Sequence, residues 1–250
     1  MNRRRAQPDS ECEPKEERKK PESDPLTLAA AVRVLRKFYG PPPEPPSSEP
    51  FELVLWENVA YLASPARRRE AFELLKRTIG TTPAAILAAD EKALEAVTAR
   101  GILKNTFAAK LRECARIALE HFDGDLGPVV GKPLDDAKRA LRRFPGIGEP
   151  GAEKILLLSG RHALLAADSN ALRALVRLGF IREEPSYART YRASQEAAKG
   201  LTADPIVMRE AHSLLQQHGR TLCKRSAPRC AVCPLATRCA FARSTKNRSR

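Results

Sequence analysis

The stretch LRRFPGIGEPGA at residues 141–152 separates two segments of helical periodicity. Gly146 and Gly148 stand two positions apart, so the backbone between them can turn tightly and approach another molecule closely. A helix that follows such a turn begins with unpaired N–H groups and the positive end of its dipole. The stretch therefore predicts a helical hairpin that can bind a phosphate. An ordinary corner between two helices is the alternative.

Helical periodicity continues from about Phe51 to Phe241, with apolar residues returning every three or four positions and no alternation typical of a strand. Glycines tend to follow these segments and prolines to precede them, as at helix ends. The sequence therefore predicts an all-α protein. The predicted helices cover residues 26–39, 51–63, 67–79, 83–88, 91–99, 104–121, 134–143, 150–159, 168–178, 187–200 and 206–217.

Residues 1–24 and 242–250, at the two ends of the chain, are expected to lie outside the folded core. Residues 1–24 mix basic and acidic side chains with almost nothing apolar, which is typical of a disordered segment. Residues 25–50 combine a short helix with a Pro-rich connector, which is stiff rather than flexible. Residues 242–250 form a basic tail that we expect to be solvated beyond about Arg243.

The chain is strongly basic, with a formal net charge of +14 over 250 residues and a pI near 9.9. This balance indicates a polyanionic partner such as nucleic acid. No stretch approaches the roughly 18 consecutive apolar residues that a membrane span needs. The N-terminus also lacks the apolar core of a signal peptide. We therefore expect a cytoplasmic protein without a membrane partner.

Four of the six cysteines lie close together near the C-terminus. In a reducing compartment such a group is typical of a metal or cluster site rather than of disulfides. Four thiolates satisfy either an iron–sulfur cluster or a structural zinc ion. Zinc sites usually come from two close cysteine pairs, whereas only one close pair occurs here. The four residues are Cys223, Cys230, Cys233 and Cys239.

The FPGIG turn at 144–148 and the cysteine spacing C-x6-C-x2-C-x5-C resemble the hairpin and the cluster loop of the endonuclease III family of helix-hairpin-helix DNA glycosylases. The resemblance covers about residues 26–241. It implies a central helical subdomain at 51–160 that ends in the hairpin, and a second one at 161–241 that packs with 25–50. It also implies a [4Fe–4S] cluster on the four cysteines, and a monomer that binds double-stranded DNA containing a damaged or mismatched base.

Two DNA contacts follow from this resemblance. The hairpin is expected to bind phosphates through its backbone, which holds DNA without reading its sequence. Cations in the cluster loop are suited to a second phosphate contact. The hairpin residues are Pro145, Gly146, Ile147, Gly148 and Gly151, and the cations are Lys224, Arg225 and Arg229.

The resemblance also implies one catalytic aspartate at the start of a helix that faces the lesion pocket, and Asp168 matches it by position. Cleavage of an N-glycosidic bond builds positive charge on the sugar. A nearby carboxylate stabilises that charge and can orient an attacking water. Capping of the helix is the alternative role for Asp168.

The chain departs from the lyase members of the family at Pro150. Those members carry a lysine two residues after the last hairpin glycine, where its amine attacks the sugar. Proline fits the first position of a helix but has no nucleophile. We therefore predict a monofunctional glycosylase that uses water. Lys154, one helical turn further on, is the only nearby amine and defines the alternative, a bifunctional glycosylase and AP lyase.

The resemblance further predicts a general acid on the first core helix. Adenine-specific members without the lysine use a glutamate there to protonate the departing base, and counting from Phe51 places Glu57 in register. A carboxyl group in so apolar a helix is expected to keep its proton to higher pH. A partly exposed glutamate at the helix edge is the alternative.

One further function remains open on the sequence alone, a non-catalytic iron–sulfur protein that binds DNA. The retained Asp168 favours an enzyme over this alternative. The histidines show no metal-binding spacing and are predicted to be surface or capping residues. They are His121, His162, His212 and His218.

Overall fold

A computed structural model describes residues 25–248, with side chains through 244, so the predicted disorder of 1–24 lies outside the described residues. The described part is helical and has no strand, and the all-α prediction is confirmed. Two short 3-10 turns lie at Cys230–Val232 and Ala236–Arg238. The helices are α1 (Leu28–Tyr39), α2 (Pro50–Asn58), α3 (Pro65–Thr78), α4 (Pro83–Ala88), α5 (Glu91–Thr98), α6 (Lys104–Phe122), α7 (Gly127–Val130), α8 (Leu134–Leu141), α9 (Glu149–Leu158), α10 (Ser169–Leu178), α11 (Tyr187–Ala198), α12 (Pro205–Thr221) and α13 (Ala240–Arg248).

A first hydrophobic core is enclosed by helices α2 to α9. The long helix α6 runs through it because its apolar residues recur at helical spacing and form one buried stripe, Phe107, Leu111, Cys114 and Ala118. Helices α2, α4 and α5 pack around α6. Phe144, the first residue of the FPGIG turn, is buried in the same core, so the hairpin is anchored to the first core.

A second core joins α1 to the C-terminal helices. Apolar side chains of α1 such as Leu35 pack against α12, and Arg36 of α1 pairs with Glu210 of α12 at 2.8 Å. Helix α9 contributes to both cores, since Leu156 lies in the first and Leu157 in the second. The two cores therefore meet along the second helix of the hairpin.

Helix boundaries differ from the sequence prediction mainly at α2 and at the C-terminus. Helix α2 ends at Asn58 rather than at residue 63, because Ser64 caps α3 and the residues between must turn back. The basic tail is not an unstructured segment throughout its length. Residues Ala240–Arg248 form α13, and Ala242 is buried in the second core.

None of the described helices is long and apolar enough to cross a membrane.

Candidate active site

The hairpin between α8 and α9 leaves several amides available for a ligand. Gly146 has a left-handed backbone with φ +77°, and Gly148 caps α9. The first hydrogen bond of α9 runs from the N–H of Ala152 to the carbonyl of Gly148, at 2.9 Å. The preceding amides of the first turn therefore have no acceptor within the helix. Pro150 stands at the second helical position rather than the first, and it contributes no N–H group.

Gly146 presses the hairpin against the end of α2. A β-carbon at this position would lie 2.7 Å from Asn58 Oδ1. Asn58 is buried, and its Nδ2 donates to the carbonyl of Val54 at 3.2 Å and to Cys114 Sγ at 3.7 Å. The side chain is therefore not free to move aside. Both the positive φ and the lack of space require glycine here.

Asp168 caps α10 and is held by four hydrogen bonds. Its Oδ1 accepts the N–H groups of Asn170 and Ala171, each at 2.9 Å. Its Oδ2 accepts from Gln216 Nε2 at 2.9 Å and from Asn170 Nδ2 at 3.2 Å. Burial raises the pKa of Asp168, but the hydrogen bonds from Ala171, Asn170 and Gln216 outweigh it, so the pKa lies below its usual value. The carboxylate is thus ionised and fixed in orientation.

Glu57 does not lie in the apolar environment that the sequence predicted. Its Oε2 is 2.7 Å from Lys154 Nζ, and the two side chains are only 14% and 21% exposed. The prediction failed because α9 packs across α2 and brings its lysine to the glutamate. The only amine proposed as a substitute nucleophile is therefore ion-paired with the proposed general acid.

His212 of α12 is buried, and its predicted surface position is wrong. Burial lowers the pKa of His212 and the charge of Lys154 lowers it further, while Asp168 and Glu57 oppose the shift. The helices that carry these residues pack together, α12 against α9 and α10, and α9 against α2. The helical spacing of the sequence could have predicted this burial, because His212 falls on the apolar face of α12 with Met208 and Leu215. His218 is buried as well, and its Nδ1 lies 3.1 Å from the hydroxyl of Tyr39.

An open basic groove runs past the start of α10. Arg173 forms its floor and is held by the carbonyls of Cys223, at 2.8 Å, and Gly219, at 2.7 Å. Lys224 and Arg225 line this groove, whereas Arg229 lies at the cysteine cavity instead. The groove is lined by Ser169, Asn170, Arg173, Gly219, Arg220, Lys224 and Arg225. The groove therefore adjoins the first residues of α10, the helix that Asp168 caps.

The four clustered cysteines are free thiols that line a single small cavity of about 20 Å³. Arg177 fastens the surrounding loop, since its guanidinium donates to the carbonyls of Lys224, at 2.6 Å, and Arg225, at 3.0 Å. Its Nη1 also lies 3.6 Å from Cys223 Sγ. Within the described residues no group of three or more His, Cys, Asp or Glu side chains is arranged to hold a single metal ion.

Two neighbouring loops expose apolar side chains that sequence reasoning did not assign. Leu62 and Leu103 are 72% and 59% exposed, and both adopt a left-handed backbone, which is uncommon for leucine. The loops are joined by a hydrogen bond from the N–H of Ile102 to the carbonyl of Tyr61, at 3.1 Å. The signal in the sequence was the apolar Tyr61-Leu62 pair after α2 and the Ile102-Leu103 pair after Gly101.

Comparison with known proteins finds several DNA glycosylases among the relatives. No protein-family model matches the chain. It is 27% identical over 173 residues to endonuclease III of Sulfolobus acidocaldarius, which is 68% of this chain and 73% of that protein. It is 33% identical over 111 residues to the adenine DNA glycosylase of Arabidopsis thaliana, 44% of this chain and 18% of that protein. The chain spans 12% of the Arabidopsis DNA glycosylase/AP lyase ROS1, so it corresponds to only part of some relatives.

Solved structures share the fold. A non-covalent endonuclease III–DNA complex superposes with a TM-score of 0.70 at 19% identity, covering 89% of this chain and 99% of that one. A thermostable thymine-DNA glycosylase also gives 0.70, at 16% identity and with 87% and 97% coverage. The fold is thus that of the helix-hairpin-helix glycosylases. Together with the related sequences, it makes the chain similar to endonuclease III and to other DNA glycosylases.

Proposed function

We propose that this protein is a base-excision DNA glycosylase that hydrolyses the N-glycosidic bond of a damaged or mispaired base in duplex DNA. The observation that carries the proposal is Asp168, an ionised carboxylate fixed by its hydrogen bonds at the start of α10, where Ser169 and Asn170 line the basic groove. The oxocarbenium-like transition state of this reaction needs such a negative charge.

DNA binding is proposed to use three surfaces. The first-turn amides of α9 and the left-handed Gly146 suit one phosphate, and Lys224 and Arg225 of the basic groove suit others. Leu62 and Leu103 are suited to enter the base stack, because an exposed apolar side chain can fill the space left by an extruded nucleotide. Access to the glycosidic bond requires such extrusion.

The proposed reaction is monofunctional. As the C1′–N bond breaks, its electron pair leaves with the base and Asp168 stabilises the positive sugar. Water then completes the displacement, because Pro150 has no amine and Lys154 is engaged by Glu57 at 2.7 Å. We assign delivery of a proton to the departing base to the Glu57–Lys154 pair. The bifunctional alternative requires Lys154 to leave this pair.

We also propose a [4Fe–4S] cluster on Cys223, Cys230, Cys233 and Cys239. The donor set fits, since four free thiols line one cavity and each thiolate of a cluster binds a different iron rather than one central ion. When bound, the cluster supplies structural cross-linking of the loop rather than a step of hydrolysis. A loop cross-linked in this way would hold Lys224 and Arg225 at the groove.

A screen on duplexes that each carry one defined lesion tests the function, with Asp168→Asn as the decisive variant. The wild type should release a base, and the variant should lose at least about 100-fold in rate while DNA binding stays nearly unchanged. Asp204→Asn is a matched control, because Asp204 caps α12 by accepting the N–H of Ile206 at 2.7 Å. Tight binding without base release from any lesion would favour the non-catalytic alternative. Equal losses in both variants would assign Asp168 to capping alone.

A further inference from the structure

A cavity of about 460 Å³ lies between α10, the start of α11 and the loop that joins these two helices. Its volume falls within the roughly 300–1,000 Å³ that is usual for sites that bind small ligands. The proposed catalytic residues Asp168, Glu57 and Lys154 do not line it. The cavity is therefore separate from the proposed centre of hydrolysis, which leaves its ligand unassigned.

The cavity adjoins the basic groove, because Ser169, Arg173 and Arg225 line both. The guanidinium of Arg173 is engaged by backbone carbonyls. By contrast, the exposed side chain of Arg225 makes no hydrogen bond or ion pair with any of the described residues. Arg225 is thus available to a phosphate where the groove and the cavity meet. A DNA strand with its phosphates in the groove would bring an attached nucleoside to the cavity.

The walls of the cavity are fastened by hydrogen bonds. The hydroxyl of Thr190 in α11 accepts the N–H of Glu184 at 3.0 Å and donates to the carbonyl of Ser186 at 3.3 Å, which ties the joining loop to α11. On the other side, the guanidinium of Arg177 donates to the carbonyl of Arg225 at 3.0 Å. A ligand therefore meets a cavity that is already formed, so little affinity is lost to ordering it.

The interior of the cavity offers a flat apolar surface. Tyr187 lines it with a ring that is 51% exposed and stacks on Tyr191, with 6.2 Å between the ring centroids and 18° between the ring planes. Leu172 and Val176 of α10 add aliphatic surface. Nucleic-acid bases stack on such aromatic side chains whatever their identity, because every base has a π face. The cavity is thus suited to a planar ring.

Two carboxylates distinguish the cavity from the groove. Glu183 and Glu184 line the cavity alone, and their exposed side chains make no hydrogen bond or ion pair with the described residues. Negative charge repels a phosphate from this part of the cavity, whereas a carboxylate accepts a hydrogen bond from an amino group such as N4 of cytosine. The fitting ligand therefore has an anionic end at Arg225 and hydrogen-bond donors at the glutamates.

Resting on the proposed function, we infer that this cavity binds an unpaired nucleotide. Its phosphate lies at Arg225, its base stacks on the ring of Tyr187, and an exocyclic amino group of the base donates to Glu183 or Glu184. The same chemistry belongs to a nucleotide of the DNA strand in the groove and to a free nucleoside monophosphate. We assign the strand, because the groove that carries its phosphates is continuous with the cavity at Ser169 and Arg225.

The probe is 2-aminopurine, a fluorescent base that carries an amino group and loses fluorescence when it stacks. Duplexes with a stable abasic analogue carry one unpaired 2-aminopurine at different distances from it. The wild type should quench the probe at one distance, and Tyr187→Leu should remove the quenching and weaken binding of that duplex by about 5- to 100-fold, as expected when a base loses its aromatic platform. Tyr187→Phe should keep both. Phe38→Leu is a matched control, because Phe38 is 49% exposed and lies outside the cavity.

The glutamates are tested by the choice of base. The wild type should bind a duplex with one unpaired cytosine more tightly than one with unpaired thymine, since thymine has no exocyclic amino group. Replacing Glu183 and Glu184 together by glutamine should reduce this preference, whatever the change in overall affinity. A wild type without the preference would refute the assigned contact with the glutamates.

Quenching that survives in Tyr187→Leu, or no quenching at any distance together with no binding of dAMP or dCMP by NMR, would overturn the inference. Binding of the free monophosphates alone, lost in Tyr187→Leu, would keep the nucleotide and refute the strand as its source. Base release is measured on the same proteins, and Tyr187→Leu should process a saturating, fully paired lesion duplex at the wild-type rate. Base release without Tyr187-dependent quenching would refute only this inference, whereas such quenching without release from any lesion would refute the proposed glycosylase activity.

Discussion

Replacing Gly146 by alanine tests whether the hairpin is locked to α2. The substitution meets two obstacles, a backbone with φ +77° and a β-carbon only 2.7 Å from Asn58 Oδ1. A left-handed backbone costs a non-glycine residue about 1–2 kcal/mol, and stiffening of the unfolded chain offsets about 0.4–1 kcal/mol of this. Displacing the buried Asn58 adds about 1–3 kcal/mol, the usual penalty of overpacking.

Gly160→Ala is a matched control, because Gly160 has φ +74° and open space around its β-carbon position. Both variants carry the backbone penalty, so the difference between them isolates the contact with Asn58. We expect Gly146→Ala to be less stable than Gly160→Ala by about 1–3 kcal/mol in denaturant. This corresponds to roughly 2–4 °C in melting temperature for each kcal/mol in a chain of this size.

The contact with Asn58 is verified by a double-mutant cycle. In an Asn58→Ala background the extra destabilisation of Gly146→Ala should disappear, because the obstructing amide oxygen is gone. Equal destabilisation of the two glycine variants, or an extra loss that persists without Asn58, would refute the reasoning. The contact between Gly146 and Asn58 would then not hold the hairpin against α2.

Three further predictions concern the cofactor, the DNA and the nucleophile. Anaerobically purified protein should contain about four irons per chain, as expected for a [4Fe–4S] cluster held by four thiolates; stoichiometric zinc without iron would contradict this. Changing Lys224, Arg225 and Arg229 together to alanine should flatten the plot of log affinity against log salt by roughly 0.9 for each phosphate that is no longer neutralised. Most of that change should come from Lys224 and Arg225, which line the groove. Borohydride should trap no covalent protein–DNA adduct, since Pro150 lacks an amine; trapping that disappears in Lys154→Ala would establish the bifunctional alternative.

The fold was predictable from the sequence because its strongest signals are local. Apolar residues at helical spacing predicted most of the helices, and Gly146 and Gly148 predicted the hairpin. The end of α2 was misjudged because residues 59–63 continue the apolar pattern, while the turn there is imposed by the cap of α3 at Ser64. Helix α13 was missed because its sequence is polar, and only its packing against α10 shows its place.

The electrostatic partners in the candidate site were not predictable in the same way. Glu57 and Lys154 are 97 positions apart in the sequence, and their ion pair depends on how α9 crosses α2. The spacing between histidines indicates whether they can bind a metal together, but it does not predict whether a single imidazole such as that of His212 is buried. Residue type and spacing identify candidates, whereas their protonation depends on neighbours that only the tertiary structure supplies.

Two residues of the hairpin helix α9, Pro150 and Lys154, bear on the identity of the nucleophile. Pro150, the second residue of α9, has no amine, and the lysine further along that helix, Lys154, reaches α2 and pairs with Glu57. An ammonium group held at 2.7 Å from a carboxylate is a fixed positive charge rather than a free nucleophile. Such a charge in the candidate site suits a base that leaves with extra negative charge, just as Asp168 suits a sugar that becomes positive. The proposed site therefore has charges of opposite sign for the two fragments of the breaking bond, and the proposed nucleophile is water.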